Sequence, residues 1–338
     1  MSVGTHRPEL LALPGSGFLV IVVEPEEPAG EVGRVRHRGH SFSADWEELG
    51  APFPVSAVTT EYGAPADHRA TLAGDEVVVT YQTLEPGDGG GTCDGPAETC
   101  AKSQSLLLAR FSPTGTELFR GPIVTRQTDF DEDTFPDHCI LWRDDRLLLA
   151  SGSKNAVRIR EVGRNGDVLL VREIPVAREK IASSIGNGFF RHGPRLALLS
   201  WATFGIARSS LTLTDLLSGY VAGSTEQLTH GGEEAVFPTA SAEVDGAVFV
   251  GYIARESGGD PDPATNPYYP RLLALDPAGE RQSQGFSIAT SVPGFSHVHP
   301  SLAAVGDRLY YAWSRQARGA GGQVAPQVVI ESFALRRR

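Results

Sequence analysis

Residues 70–81 read ATLAGDEVVVTY, and residues 302–313 read LAAVGDRLYYAW. In both stretches a short apolar run reaches a Gly-Asp pair and continues into a run with high β-propensity. Gly-Asp pairs adopt the positive φ angles of tight turns at little cost, so each stretch predicts two antiparallel strands joined by a short turn. This pattern decides the fold because it recurs along the chain.

Four further copies of the hairpin have their turns near residues 15, 144, 193 and 245. A second hairpin follows each first one, with turns such as Ser112–Gly115 and Gly163–Gly166. Each unit therefore predicts four strands, which we name A to D from the inside outward. Six such units predict an all-β protein, a six-bladed β-propeller with four-stranded antiparallel blades.

The repeat continues throughout, so residues 1–338 are predicted to form a single domain. The blades are predicted at about 9–56, 68–125, 137–177, 187–229, 238–290 and 300–335. The last unit ends after strand C, and Ser2–Thr5 precede the first strand A. These N-terminal residues are expected to supply the missing strand and to close the ring, which removes an exposed sheet edge.

Composition narrows the function classes. A net charge of −11 argues against a nucleic-acid partner, because phosphate contacts require clustered Lys and Arg. No stretch approaches the roughly 20 apolar residues of a membrane span. The N-terminus lacks the features of a signal peptide, so the chain is expected to be cytoplasmic. It is also expected to be a monomer. A secreted or periplasmic protein whose signal peptide had been removed would look the same.

The three cysteines leave alternatives open. Cys93 and Cys100 flank a loop rich in Gly, Asp and Pro, and a disulfide between them would favour an oxidising compartment. Cys139 is interpreted as a buried structural thiol, with a nucleophile or a ligand as the alternative.

The patterns at residues 300–313 and 108–115 resemble bacterial repeat propellers of the broad sialidase-like group. Residues 43–50, SADWEELG, are similar to a single Asp-box of that group. The resemblance covers nearly the whole chain and implies a propeller fold, with glycosidases and lectin-like binders among its members. The arginine triad, the Tyr/Glu nucleophile pair and the repeated Asp-boxes of true sialidases are not matched, so the activity stays open.

Loop lengths identify the working face. The B-to-C and D-to-A connections share one face of a propeller, and here they are long, as at Glu85–Cys100, Arg255–Pro270 and Thr125–Pro136. The turns on the opposite face are all short. Long loops on a rigid scaffold usually carry binding sites, so the face where each strand A begins is the predicted working face.

A His/Asp cluster is predicted on that face. Counting back from each A–B turn places Asp67-His68, Asp137-His138 and His299 at the mouth of the central channel. Histidine and carboxylate in one concave site ligate a divalent metal ion or perform acid–base chemistry. These five residues are therefore the predicted catalytic residues, and the three histidines are the predicted metal ligands. The alternative is that the pairs cap loops or form hydrogen bonds between blades.

Further candidates for ligand binding lie around this cluster. Glu9 and Asn187 align with it in two other blades, and His297 stands two residues before His299. The ends of the B strands contribute Tyr81, Trp201, Tyr252, Trp313 and Arg315. Aromatic residues at such positions form either the core between blades or a stacking platform for a planar ligand.

Two functions follow from these features. The first is an enzyme of hydrolase or lyase type that converts a small molecule or a glycan with its His/Asp cluster, with or without a divalent metal ion. The second is a non-catalytic module that binds a glycan or a protein.

Overall fold

The computed structural model describes the chain over a series of separate ranges. It describes residues 6–15, 17–25, 35–56, 68–86, 102–127, 134–152, 156–175, 188–203, 209–229, 233–236, 239–244, 246–256, 268–276, 286–287, 295–317 and 327–334. The strands form six antiparallel sheets that follow one another along the chain. The predicted six-bladed β-propeller is therefore confirmed.

The first three blades hold four strands each, ordered from the channel outward. Their bounds are β1 His6–Leu13, β2 Gly17–Pro25, β3 Val35–Phe42 and β4 Phe53–Pro54; β5 His68–Ala73, β6 Glu76–Pro86, β7 Lys102–Phe111 and β8 Glu117–Gln127; β9 Thr134–Arg143, β10 Arg146–Gly152, β11 Ala156–Val162 and β12 Val168–Pro175. Neighbouring strands in each blade are joined by antiparallel hydrogen bonds.

The other three blades are less regular. Their bounds are β13 Gly188–His192, β14 Arg195–Thr203, β15 Ser209–Leu216 and β16 Ala222–Gln227; β17 Glu233–Val236, β18 Ala242–Val244, β19 Ala247–Glu256, β20 Tyr269–Leu275 and β21 Phe286–Ser287; β22 Phe295–Val305, β23 Arg308–Ala317 and β24 Gln327–Ala334. In blade 5, β17 and β18 both pair with β19, so the innermost strand is interrupted. Blade 6 contains three strands within the described residues. A search of the same residues finds no helix with the length and apolarity of a membrane span.

The turns between strands A and B have the conformation that their sequence predicts. Gly74 and Gly306 have φ angles of 64° and 58°, and blade 3 places Asp144 and Asp145 at 51° and 61°. Glycine adopts this left-handed conformation at little cost, and Asp is among the other residues that tolerate it best. The Gly/Asp signal therefore located the hairpins correctly.

The core lies between the blades, and packing of the last blade on the first closes the ring. Leu10 and Phe18 of blade 1 share one buried cluster with Tyr310 and Ala312 of blade 6. Burial of each large apolar side chain stabilises the contact by about 1.5–3 kcal/mol. The predicted closing strand, Ser2–Thr5, lies outside the described residues.

Candidate functional site

The innermost strands of the six blades each place one residue at the same register position beside the channel. Each stands four positions before the last paired residue of its A–B hairpin, and we call this set the central ring. The central ring consists of Glu9, Arg69, Cys139, Gly188, Ala240 and Ser301. These residues line a cavity of about 210 Å³ in the channel.

Three ring residues are linked across blades 1, 2 and 6. Arg69 Nη1 lies 3.3 Å from Glu9 Oε1, and Ser301 Oγ donates to Glu9 Oε2 at 3.3 Å. The Leu10 amide donates to Ser301 Oγ at 2.9 Å, and Arg69 Nη1 donates to the carbonyl oxygen of His68 at 2.9 Å. Because hydrogen bonds to charged groups are directional and strong, this network orients the carboxylate and the guanidinium at the cavity wall.

The opposite half of the ring is small and uncharged. A β-carbon on Gly188 would lie 2.2 Å from the carbonyl oxygen of Thr239, so only glycine lets blades 4 and 5 approach this closely. Burial raises the pKa of the Cys139 thiol to about 12. The thiol is therefore protonated at neutral pH, and the polar groups of the ring concentrate on blades 1, 2 and 6.

Two equivalent residues extend this polar wall. Arg7 and His299 have φ angles of 54° and 53°, each precedes a proline, and each stands two positions before its ring residue. A shift in strand register marks a β-bulge at both positions. Bulges re-aim side chains, and a non-glycine residue keeps a positive φ only where its surroundings enforce it. Both residues line the cavity.

His68 and His138 lie between blades instead of facing the channel. Both are fully buried; the His68 Nε2–H donates to the carbonyl oxygen of Ile21 at 3.2 Å, and His138 Nε2 lies 2.8 Å from Thr80 Oγ1. Each imidazole thus bonds to the preceding blade, and the structure does not show the predicted convergence at the channel mouth. Successive side chains of a strand point to opposite faces, so the residue after each histidine points to the other side of its blade. Arg69 lines the cavity, and Cys139, which also borders it, belongs to the buried cluster between blades 3 and 4.

Several of the predicted catalytic and ligand-binding residues cannot be located in the structure. Asp67 and Asn187 lie outside the described residues, as do the side chains of Asp137, Trp201 and His297. Within the described part of the chain, no three His, Cys, Asp or Glu side chains lie together in a way that could hold a metal ion. Metal binding at the histidines therefore stays a prediction.

Three predicted aromatic residues belong to the core between blades. Tyr81, Tyr252 and Trp313 are each 1% exposed, and the first two are members of buried clusters with neighbouring strands. Arg315 donates from Nη2 to Gln327 Oε1 at 2.5 Å within blade 6. In this structure the three aromatic rings are not accessible as a stacking platform.

Glu9 and His299 are the predicted residues that the structure brings to the cavity, whereas Arg7, Arg69 and Ser301 were not identified from the sequence. A sequence signal exists for Arg7 and Ser301. Residues 7–10 read RPEL and residues 299–302 read HPSL, at the same distance before the A–B turn. The repeated order of a cationic or imidazole residue, proline, a polar residue and leucine marks the two bulges.

The seam between blades 1 and 2 contains a pair of buried histidines. The ring centroids of His37 and His68 are 4.9 Å apart in an edge-to-face arrangement. Burial lowers the pKa of His68 well below its usual value, and the nearby His37, Arg69 and Arg7 lower it further. The folded protein therefore holds His68 in its neutral form.

This burial has an expected acid dependence. In the unfolded chain the pKa of His68 has its ordinary value of about 6.5, so the unfolded chain takes up this proton more readily than the folded protein does. The free energy of unfolding is therefore unaffected by this histidine above that pH and falls as the pH decreases below it. We expect the free energy of unfolding to decrease with a slope that approaches about 1.4 kcal/mol per pH unit for this histidine. Chemical denaturation at a series of pH values measures the slope.

The matched variant is His68→Gln, which keeps an N–H donor for Ile21 and does not titrate. His40 acts in the opposite direction: burial works against its protonation, but hydrogen bonds to Glu24 and Glu48 raise its pKa above the usual value. The contribution of His68 is therefore the difference in slope between the wild type and His68→Gln. Equal slopes in the two proteins would contradict the assignment.

Comparisons with known proteins identify the fold. No protein-family model matches the chain, and no curated protein sequence is significantly similar to it. Among solved structures, the NanB sialidase from Streptococcus pneumoniae aligns with a TM-score of 0.59 and 6% identity, over 96% of this chain and 67% of that one. A leech intramolecular trans-sialidase aligns with a TM-score of 0.54 and 8% identity, over 98% and 68%.

This chain thus spans about two thirds of the length of both sialidases. Identities this low show a shared fold and carry no statement about the site. The predicted fold-level resemblance is confirmed: this chain has the fold of the sialidase-like β-propellers.

Proposed function

We propose that the channel cavity binds a small ligand that carries a carboxylate and several hydroxyl groups, such as an acidic sugar. The charge of the cavity carries this proposal. Among the described lining residues, Arg7 and Arg69 oppose a single carboxylate, Glu9, in a chain whose net charge is −11. A guanidinium pairs with a carboxylate through two parallel hydrogen bonds, and this geometry favours an anionic ligand.

Hydroxyl groups around the cavity support a sugar over a simple anion. Thr71, Thr239, Ser241 and Ser301 are among the lining residues, and each hydroxyl both donates and accepts hydrogen bonds. The volume of about 210 Å³ is below the roughly 300–1,000 Å³ of sites for drug-sized ligands. The cavity therefore suits a single sugar ring or the terminal residue of a glycan.

A solved neighbour also supports a carbohydrate as the ligand class. The leech trans-sialidase of the same fold was solved with 2,7-anhydro-Neu5Ac, a sugar derivative. In this chain, His299 offers a further hydrogen-bonding group beside the arginines. Glu9 is the described carboxylate that would exchange a proton with the ligand if the bound sugar were converted.

The test is a titration of the full chain with glucuronate and galacturonate, each compared with its neutral parent hexose. We expect each uronic acid to bind at least about tenfold more tightly than the hexose, since one charge-assisted hydrogen-bond pair contributes about 1.5–3 kcal/mol. Weakening by added salt is expected for the acids alone. Equal binding of acid and hexose, or no binding of either, would overturn the proposal.

The same preparations separate binding from conversion. Incubation with a glycoside of glucuronic acid, followed by analysis of the released sugar, detects turnover. Release that is lost in Glu9→Gln would assign the hydrolase reading of the site. Binding without release would assign the non-catalytic reading.

A further inference from the structure

The imidazole of His40, on β3 of blade 1, lies between two carboxylates. Its Nε2 is 2.9 Å from Glu24 Oε1, and its Nδ1 is 3.2 Å from Glu48 Oε1. An ionised carboxylate only accepts hydrogen bonds, so both contacts are satisfied when each ring nitrogen carries a proton. Burial works against protonation of His40, but its hydrogen bonds to the two carboxylates raise its pKa above the usual value. The arrangement therefore favours the charged imidazolium.

His40 is on the face of blade 1 that packs against blade 6. It stands directly opposite Val20 in the register of β2 and β3, and it is two positions from Phe42. Residues that are opposite each other, or two apart on one strand, share a face of the sheet. Val20 and Phe42 belong to the buried cluster that joins blade 1 to Tyr310 and Ala312 of blade 6. The imidazole is therefore part of the seam at which the last blade meets the first.

Arginines share this face with the carboxylates. Arg38 Nε lies 3.2 Å from Oε2 of Glu24, and Arg36 stands opposite Glu24 in the strand register. Arg308 of blade 6 lies at the turn end of the seam. The side chains that blade 6 contributes to the buried cluster are uncharged: Ala303, Tyr310 and Ala312, with Val305, Val328 and Ile330 packed against it. Protonation of the imidazole is therefore governed by the two carboxylates of its own blade.

Trp46 lies in the turn between β3 and β4 with a φ angle of 64°. The corresponding turns of blades 2 and 3 have Gly115 and Gly166 at this position, with the same backbone hydrogen bond to the residue three before. A bulky residue keeps a positive φ only where its contacts enforce it. The Trp46 ring is stacked on Phe18 with 4.5 Å between centroids, and it lies 6.0 Å from the Tyr310 ring of blade 6. Trp46 thus connects the turn of blade 1 to the last blade.

Glu48 ties this turn to the imidazole of His40. It forms an antiparallel bridge with Phe42, so its side chain is on the seam face beside the imidazole. A neutral imidazole has a single N–H and donates to one carboxylate only. The Glu48 side chain is 45% exposed, whereas that of Glu24 is 12% exposed. Loss of the proton is therefore expected to release Glu48, because water can hydrate Glu48 more readily than the buried Glu24.

We propose that His40 is a pH-sensitive clasp on the seam between blades 6 and 1. The protonated ring holds Glu48, and through it the turn that seats Trp46 on blade 6. When the proton is lost, Glu48 turns to solvent and the turn loosens.

The clasp has a defined pH dependence. The pKa of His40 is higher in the folded protein than the value of about 6.5 in the unfolded chain. The stabilisation is therefore complete below about pH 6.5 and is lost as the pH rises through the pKa of the folded protein. This direction is opposite to that of His68, in the seam between blades 1 and 2.

Fluorescence of Trp46 tests the clasp. The difference between the spectra of the wild type and Trp46→Phe isolates Trp46 from the other tryptophans. We expect its emission to shift to longer wavelength as the pH rises, in a one-proton transition with a midpoint above about 6.5. His40→Gln, which keeps an N–H donor and does not titrate, is expected to abolish the transition. Absence of the transition in the wild type, or its persistence in His40→Gln, would overturn the proposal.

His192→Gln is the matched control. His192 Nδ1 lies 3.1 Å from Glu243 Oε2, so this pair also joins an imidazole to a carboxylate across a seam, here between blades 4 and 5. Its substitution is expected to leave the Trp46 transition unchanged. Loss of the transition in this variant too would show that the transition does not report His40, and would contradict the clasp.

Glu48→Gln gives a second measurement, which does not require a variant of the buried histidine to fold. Its native circular dichroism spectrum is expected to persist, as for other surface substitutions. We expect it to increase the equilibrium constant of unfolding by about fivefold at pH 6, as for a partly exposed ion pair, and to leave it unchanged at pH 9. Chemical denaturation of both proteins measures this ratio, from which the contribution of His68 cancels. The same ratio at both pH values would contradict a clasp that depends on the His40 proton.

Discussion

Replacing Arg69 by methionine is expected to weaken glucuronate binding about 100-fold while the protein stays folded. The substitution removes a charge-assisted hydrogen bond of about 1.5–3 kcal/mol, and 100-fold corresponds to about 2.7 kcal/mol. In the wild type, the Arg69 guanidinium lies 3.3 Å from the Glu9 carboxylate. The substitution removes this cation, so the Glu9 carboxylate then lies beside the ligand carboxylate without the charge of Arg69 to offset it. Repulsion between the two anions adds to the loss. Calorimetric titration of both proteins measures the change.

The control for this substitution is Arg308→Met. Arg308 lies at the A–B turn of blade 6, on the face opposite the long loops, and donates to Ser332 Oγ at 2.7 Å. Its replacement is expected to leave the affinity unchanged. The double variant Glu9→Gln/Arg69→Met removes the repulsion, so its affinity is expected to lie between those of the wild type and Arg69→Met. Unchanged glucuronate affinity in folded Arg69→Met would exclude a contact between this guanidinium and the ligand.

Substitution by asparagine is expected to affect stability at His138 and ligand binding at His299. His138→Asn is expected to lower the free energy of unfolding by about 2–4 kcal/mol, because it removes a fully buried ring and its contact with Thr80. His299→Asn is expected to change stability by less than about 1 kcal/mol, because asparagine tolerates the left-handed backbone found there. His299→Asn is expected to weaken glucuronate instead.

Chemical denaturation and ligand titration on the same preparations test this contrast. A His138→Asn protein of wild-type stability that no longer binds the ligand would show that His138 acts at the site and not in the seam. A His299→Asn protein with wild-type affinity would remove His299 from the ligand contacts.

The blades could be predicted because their signals are local. A Gly-Asp pair between two β-prone runs specifies its turn by φ alone, and the structure finds Gly74 and Gly306 in the expected conformation. Six hairpins of this general pattern, two of them with a Gly-Asp pair, indicated the number of blades. The short turns then indicated which strands pair as hairpins, A with B and C with D.

The sequence did not identify which side chains of strand A line the cavity, because an error of a single position is enough to select the wrong residue. A count from the turn places residues along strand A, but alternate residues of a strand face opposite sides, so a shift by one position moves a side chain from one side of the blade to the other. His68 attracted attention by its chemistry, whereas Arg69 faces the cavity. The bulges at Arg7 and His299 change the phase again, and nothing in a count from the turn reveals them.

The most direct test of the proposed ligand site is a crystal structure of the protein soaked with glucuronate. We expect density for one sugar ring inside the channel, with its carboxylate within about 3 Å of the guanidinium groups of Arg69 or Arg7. Glucuronate bound elsewhere on the propeller, with the channel free of it in crystals soaked above the solution dissociation constant, would contradict the assignment of the central ring as the site.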